Sequence, residues 1–379
     1  MDFTFSEEQQ AIDEAVSSIF AGLVTPDRVG EVERTEDRVD AELWAALAAA
    51  DLLGLGTPES LGGIGGGMVE IGQLLVAQGQ VVAPVPLHAT LVEGVLPIAT
   101  YGSEALRQRI LPAVARGEMM LSGALADAAA SPTEMPRVTA TTVDGGWQLD
   151  GTATAVPFAH VAGALVVPAR TGDGRVVVAV VDTADASVSM ERAETTNRAI
   201  HPHVTFAATI VTEADVLGGA DDGRAVLDAM LAWAQTGLAL IQVGIGSAAL
   251  RQTAAHLNER TQFGRTLSSF QGTMLRAADA GIDLEAIRVT AWEAAWRLDS
   301  GLPAAEAVLI AKWQASDRGQ RVVHATQHLH GGTGADIGYP IHRYFLWGKQ
   351  IELELGAPSL QLSRLGALIA ERPDEVVAR

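Results

Sequence analysis

The sequence predicts an α+β fold in three consecutive parts: an N-terminal helical domain over 1–120, a small antiparallel β domain over 121–218, and a C-terminal four-helix bundle over 219–379. Three observations predict it. Apolar residues recur at helical spacing in the first and last parts, short Val- and Thr-rich runs fill the stretch between, and Gly, Pro and capping residues mark the changes. At 379 residues, 48 % of them hydrophobic and 19 % charged, the chain carries enough apolar material for two or three units with a large buried core.

In the first part, Ser6 followed by Gln9 makes a capping-box pattern ahead of an apolar stripe at Ile12, Val16, Ile19 and Phe20. Asp40 is placed to cap a helix carrying Leu43, Leu47 and Leu52, and Val69 to Ala77 reads as another helix. Between Leu121 and Leu217, runs such as Arg175 to Val181 and Val204 to Ile210 alternate with Asp-Gly, Gly-Gly and Pro breaks. That spacing leaves no room for the crossover helices of a parallel nucleotide-binding sheet. The last part reads as helices over Arg224 to Glu259, Phe270 to Asp299, Pro303 to Leu329 and from Pro340 onward. Ser269 is the expected cap of the second and Gly301 follows its end; Pro303 opens the third, and Gly331 with Gly332 stops it.

Composition excludes several function classes. With Lys+Arg 26 against Asp+Glu 46, the net charge of -20 repels phosphate backbones, so no nucleic-acid partner is expected. The absence of cysteine removes disulfides, thiolate zinc sites and cysteine nucleophiles, leaving redox chemistry to a bound cofactor. No apolar run is read as long enough to span a bilayer and the N-terminus is acidic, so a cytoplasmic chain without a membrane partner is expected. His324 and His328, four apart on a predicted helix, have the spacing of a metal pair; no third ligand accompanies them, and no metal is expected.

Three motifs stand in order along the chain: Pro58-Glu-Ser-Leu-Gly-Gly63, the segment Arg260 to Gln271 (Arg-Thr-Gln-Phe-Gly-Arg-Thr-Leu-Ser-Ser-Phe-Gln), and His330-Gly-Gly-Thr-Gly334 with Tyr339-Pro340. Together with the helix, sheet, bundle order they make the chain similar to the acyl-CoA dehydrogenase family over nearly its whole length. The resemblance implies an FAD-dependent enzyme in which a carboxylate removes the C2 proton of an acyl-CoA and the C3 hydride passes to flavin N5. It also implies dimers or tetramers whose bundles reach over a neighbour's FAD, and an electron-transfer flavoprotein as redox partner. On this resemblance Arg260, Gln262, Phe263, Gln271, His328, Gly331 and Gly332 are the expected cofactor-binding residues. Their chemistry suits the role: Arg260 pairs with pyrophosphate, Phe263 packs beside a ring, Gln271 donates and accepts, and the glycines allow close backbone approach. Taken singly, the same residues also read as a helix-end cation, a core aromatic and a helix stop.

The chain departs from the family in three places. Counting from Tyr339-Pro340, the position of the usual Glu base falls on Leu355, followed by Gly356; counting back from Arg260, the alternative base position falls on Ala234, beside Gln235. Neither carries a carboxylate, so no catalytic residue is expected, with Glu354 the fallback one register away and otherwise a solvated residue on a helix surface. Where the family has a flavin-cradling loop and strand, this chain reads Leu125 to Glu134 and Ala155-Val-Pro-Phe158, with the hydroxyl and amide pattern eroded. His328 stands where the family usually has Gln.

These losses suggest a subunit that completes the FAD site of a related chain in an α2β2 assembly. The stretch His342-Arg-Tyr-Phe-Leu with Gly356-Ala-Pro also resembles actinobacterial subunits acting on CoA esters of shortened steroid side chains. Three alternatives stay open: a self-sufficient homotetramer using Glu354, a structural subunit without a flavin role, and an oxidase or monooxygenase of the same superfamily.

Overall fold

The computed structural model describes residues 4–131 and 133–371, and these form two compact units, the first comprising 4–74 and 83–234 and the second 75–82 and 235–371. Two of the boundaries fall inside helices α4 and α8 and the third just past the end of α4, and each unit is described by itself.

The first unit opens with α1 (Glu7–Leu23), α2 (Pro26–Val32), α3 (Ala41–Ala49) and the start of α4 (Met68–Val81). The expected capping box is present: Gln9 N donates to Ser6 Oγ at 3.2 Å and Ser6 N to Gln9 Oε1 at 2.9 Å, closing two of the helix's orphan donors. Val16 and Phe20 are buried, as the stripe requires. Asp40 accepts from Leu43 N at 3.1 Å, capping α3, and also takes a two-pronged bond from Arg28 at 2.9 and 2.7 Å. A fully buried π-helical segment, His88–Val95, runs into α5 (Leu96–Tyr101), and α6 (Glu104–Ala115) leads to the sheet.

The sheet comprises β1 (Leu121–Gly123), then, after the short helix α7 (Ala126–Ala130), β2 (Thr139–Val143), β3 (Gly146–Ala153), β4 (Ala164–Thr171), β5 (Val176–Asp182), β6 (Val188–Glu191) and β7 (His203–Thr212). The order is β1-β4-β2-β3-β7-β6 with β5 on the other edge of β4. Most pairings are antiparallel, as predicted, but β1 and β2 both run parallel to β4, one against Ala164 to Val166 and the other against Arg170 and Thr171. The long β4 is shared end to end by two short neighbours, so no continuous parallel sheet forms. Its core is Val- and Ala-rich, with Trp147, Leu149 and Phe206 filling the bulk.

The second unit takes the end of α4 and most of α8 (Gly223–Glu259), followed by a tight hairpin of β8 (Thr261–Gln262) and β9 (Arg265–Thr266), then α9 (Gln271–Asp299), α10 (Ala305–Leu329), α11 (Ile341–Leu353) and α12 (Pro358–Ala370). Helices α4 and α8 cross at glycines: a Cβ on Gly79 would lie 2.2 Å from Ile241 O, and one on Gly244 2.0 Å from Val76 O. Only glycine permits so close a backbone approach.

Four sequence expectations need correction here. The helix from Pro340 is two helices, because Leu355 and Gly356 take φ of +53° and +107° and Pro358 starts a new one. Ser269 does not cap α9; its hydroxyl donates to Thr266 O, and Phe270 stands at the N-cap. Pro303 lies ahead of α10, which begins at Ala305. Among the described residues α8 is long and apolar enough to cross a membrane by composition, contrary to the reading that no run reaches that length. That stretch is 78 % buried within the protein, the place of a core helix.

Candidate functional site

The end of α8 gathers the predicted cofactor residues. Leu267 N donates to Arg260 O at 2.9 Å, folding the chain back just past the helix, and the hairpin turns on Phe263 (φ +53°) and Gly264 (φ +80°). Two consecutive left-handed residues make a two-residue turn that suits a twisted hairpin, at a conformational cost for a bulky aromatic. The ring gains little in return within this chain: Phe263 is 93 % exposed, with one edge contact to Phe270 at 6.3 Å between centroids. Arg265 lies over Phe270 at 4.0 Å, which ties the hairpin to the start of α9 and to Gln271. Arg260, Gln262, Phe263 and Gln271 are all exposed.

The end of α10 comes to the same place. His330 stacks on His256, in the last turn of α8, at 4.4 Å and contacts Tyr339 at 5.2 Å. Gly331 follows with φ +63°, the left-handed residue that ends the helix as expected, and both Gly331 and Gly332 are exposed with open space where a Cβ would stand. The tightly packed glycine of the motif is Gly334, whose Cβ would meet Gln327 O at 2.5 Å. His328 is exposed on the last turn of α10, and His324 packs edge-on against Phe345 at 4.8 Å.

Both positions where the sequence count puts the base are buried. Ala234 is 0 % exposed and its carbonyl accepts from His88 Nε2 at 2.8 Å. A carbonyl only accepts, so Nε2 carries the proton, and burial pushes the His88 imidazole down to about 4, keeping it neutral. Glu93, also buried, reaches His88 Nδ1 at 3.6 Å and accepts from Gly123 N at 3.2 Å. Leu355 is 5 % exposed; its carbonyl accepts from Gln235 at 3.1 Å and Gln361 at 3.0 Å.

Under this turn lies Lys312, fully buried, donating to Ser316 Oγ at 2.6 Å, Ile351 O at 2.9 Å and Gly356 O at 3.3 Å. Burial lowers its ammonium to about 7, against the pull of Glu354 and Glu352. Glu354 is not the solvated helix-surface residue expected. It stands one residue beyond α11, half-buried, accepting from Gln350 Nε2 at 3.1 Å, and burial raises its carboxyl above the ordinary range against Gln350 and Lys312. The helix stops before it because the left-handed Leu355 cannot continue an α-helical turn.

In the first unit, the segment read as an eroded flavin loop is tied up internally; Pro132 lies outside the described residues. Residues 126–130 form α7, and Asp127 accepts from Thr154 N at 2.8 Å and Thr154 Oγ1 at 2.7 Å while pairing with Arg137 at 3.2 Å. Glu134 pairs with Arg224 at 2.8 Å, and Ser122 Oγ donates to Pro157 O.

Sequence reasoning missed His256, Lys312, His88 and Glu93, and placed His330 in a motif without its stacking partner. The hairpin alone had a local signal, the Phe263-Gly264 pair between two short polar runs; the others meet across long stretches of chain.

Comparison with known proteins agrees with this architecture. Residues 6–118 match the acyl-CoA dehydrogenase N-terminal domain and residues 221–369 the acyl-CoA dehydrogenase C-terminal domain. Acyl-CoA dehydrogenase FadE27 of Mycobacterium tuberculosis is 35 % identical, the match covering 98 % of this chain and 100 % of that protein. Among solved structures, the ChsE4-ChsE5 complex from Mycobacterium tuberculosis contains a chain 36 % identical with a TM-score of 0.92, covering 98 % of this chain and 100 % of that one. A Tcur3481-Tcur3483 steroid ACAD variant gives 42 % and 0.90, covering 96 % and 98 %. The chain belongs to the acyl-CoA dehydrogenase family.

Proposed function

We propose that this chain is the base-lacking subunit of an FAD-dependent acyl-CoA dehydrogenase, and that it lends the end of its bundle to the FAD site of a related chain in an α2β2 complex. The carrying observation is that both base positions are apolar and closed, Ala234 beneath His88 and Leu355 between two glutamines, whereas Arg260, Gln262, Phe263 and Gln271 stand exposed at one bundle end.

The donor set fits the cofactor. A guanidinium, two amides, an unpacked aromatic ring and an open glycine turn match a pyrophosphate flanked by ring systems and sugars. Bound FAD supplies the hydride acceptor. In the assembly Arg260 holds negative charge, Phe263 covers a ring face against water, Gln271 and His328 donate to oxygens, and the Gly331–Gly332 turn lets backbone amides approach. Proton abstraction comes from the partner. On α9, Leu275, Ile282, Val289 and Trp296 recur every seventh residue and are exposed, a stripe suited to a neighbouring helix. Relatives described as a steroid ACAD and as a two-protein complex favour a related partner and a bulky steroid CoA ester; on this reading the substrate is a steroid side-chain ester and an electron-transfer flavoprotein reoxidises the flavin. The functional division is 1–120, 121–218 and 219–379.

The half-buried Glu354 favours a second reading, a homotetramer using this carboxylate, since a raised pKa suits a general base. Purification alone and with a related chain separates the two. The proposal expects little flavin and no turnover alone, and one flavin per pair of unlike chains together. It also expects a Glu354→Gln complex to turn over normally; stoichiometric FAD and turnover from this chain alone, abolished by Glu354→Gln, would establish the second reading instead.

A further inference from the structure

His330 sits at the hinge between α10 and the Gly331–Gly332 turn, 4 % exposed, with its ring 4.4 Å from His256. Its tautomer follows from the neighbours. Thr253 has one hydroxyl hydrogen and donates it to Ala249 O at 2.7 Å, so the 3.2 Å contact with His330 requires Nε2–H to donate to Thr253 Oγ1. Nδ1 then holds the lone pair, buried and without a hydrogen bond among the described residues. A proton arriving there finds no acceptor and places a cation against a second imidazole.

We propose that the stacked His256–His330 pair is the positioning device of the Gly331–Gly332 turn, holding it against the end of α8 while both rings are neutral and releasing it when acid protonates them. The groups facing the pair are Thr253 and Glu259 from α8, Arg260 just past its end, and Tyr339 from the segment before α11. Burial is the main force lowering His256, with Arg260 adding to it and Glu259 opposing. Burial, then His256, lowers His330 to about 4. The sign follows: the closed turn binds fewer protons than the open one, so closure is fully favoured above the ordinary histidine value and is lost as pH falls toward about 4. The consequence for cofactor retention rests on the proposed role of this turn in a flavin site.

The test has two arms. Hydrogen exchange of the full chain, corrected for intrinsic rates, is read over residues 328–338 at pH 7 and pH 5. Opening of the wild-type turn rises about 20-fold, from the linkage between a pKa near 4 closed and 6.5 open. His330→Phe keeps an aromatic stack and loses the response; His256→Gln, which removes the neighbouring charge, shrinks it. An unchanged response in His330→Phe, or none in wild type, overturns the proposal. In the second arm, flavin release from the complex with its partner follows the same pH dependence. Opening in the lone chain without flavin release from the complex upholds the latch and counts against the flavin-wall reading alone.

Discussion

The segment Leu125 to Glu134 and the end of the C-terminal bundle both carry polar side chains, and they spend them in opposite directions. In the first, Asp127 is consumed by Thr154 and Arg137, and Glu134 by Arg224, so the charge is neutralised within the fold. In the second, Arg260, Gln262 and Gln271 are exposed, and Phe263 holds a strained backbone angle for an almost wholly exposed ring. The difference teaches where to look for a ligand. A group whose bonds are closed internally stabilises its own unit, whereas strain without internal compensation points to a use outside the chain.

That comparison is open to attack from both sides. The larger expected effect lies in the first region: Asp127→Ala removes two hydrogen bonds to Thr154 and the Arg137 partner, costing about 2 kcal/mol of stability by chemical denaturation. Flavin content of the complex should not change; a lower content with unaltered stability would show that the segment still serves a cofactor. The smaller effect lies in the second region, where Phe263→Ala alters the stability of the isolated chain by less than about 0.5 kcal/mol, because the ring buries almost nothing. A marked destabilisation would mean that the ring belongs to this chain's own core.

Much of the fold was legible because its signals are local. Ser6 with Gln9 and Asp40 ahead of Leu43 are read from neighbours three residues apart, and the structure has them capping α1 and α3. Strand and helix territories follow from periodicity, which needs no partner. The misreadings come from non-local or conformational causes. The break between α11 and α12 turns on Leu355 at positive φ, a state leucine adopts only when surroundings impose it; here Gln235, Gln361 and Lys312 hold the turn's carbonyls. The parallel pairings of β1 and β2 with β4 depend on a register no single strand encodes.

The candidate site was legible through its motifs. Arg260, Phe263, Gln271 and Gly331 lie in two short segments that converge on one bundle end. What joins them was not, because His256 in α8 and His330 just past α10 lie far apart in sequence and their stacking leaves no local signal in either stretch. Likewise His88 meets Ala234 across most of the first unit, so the closure of that position appears only when the chain is folded.

The most direct measurement of the central claim is the flavin content of the co-expressed complex when Arg260 in this chain alone is replaced by Ala. A charge-assisted hydrogen bond to a phosphate lost at a shared site should weaken retention roughly 10- to 100-fold, leaving the purified complex assembled but largely without flavin. A complex that keeps its full flavin complement with Arg260→Ala would contradict the account.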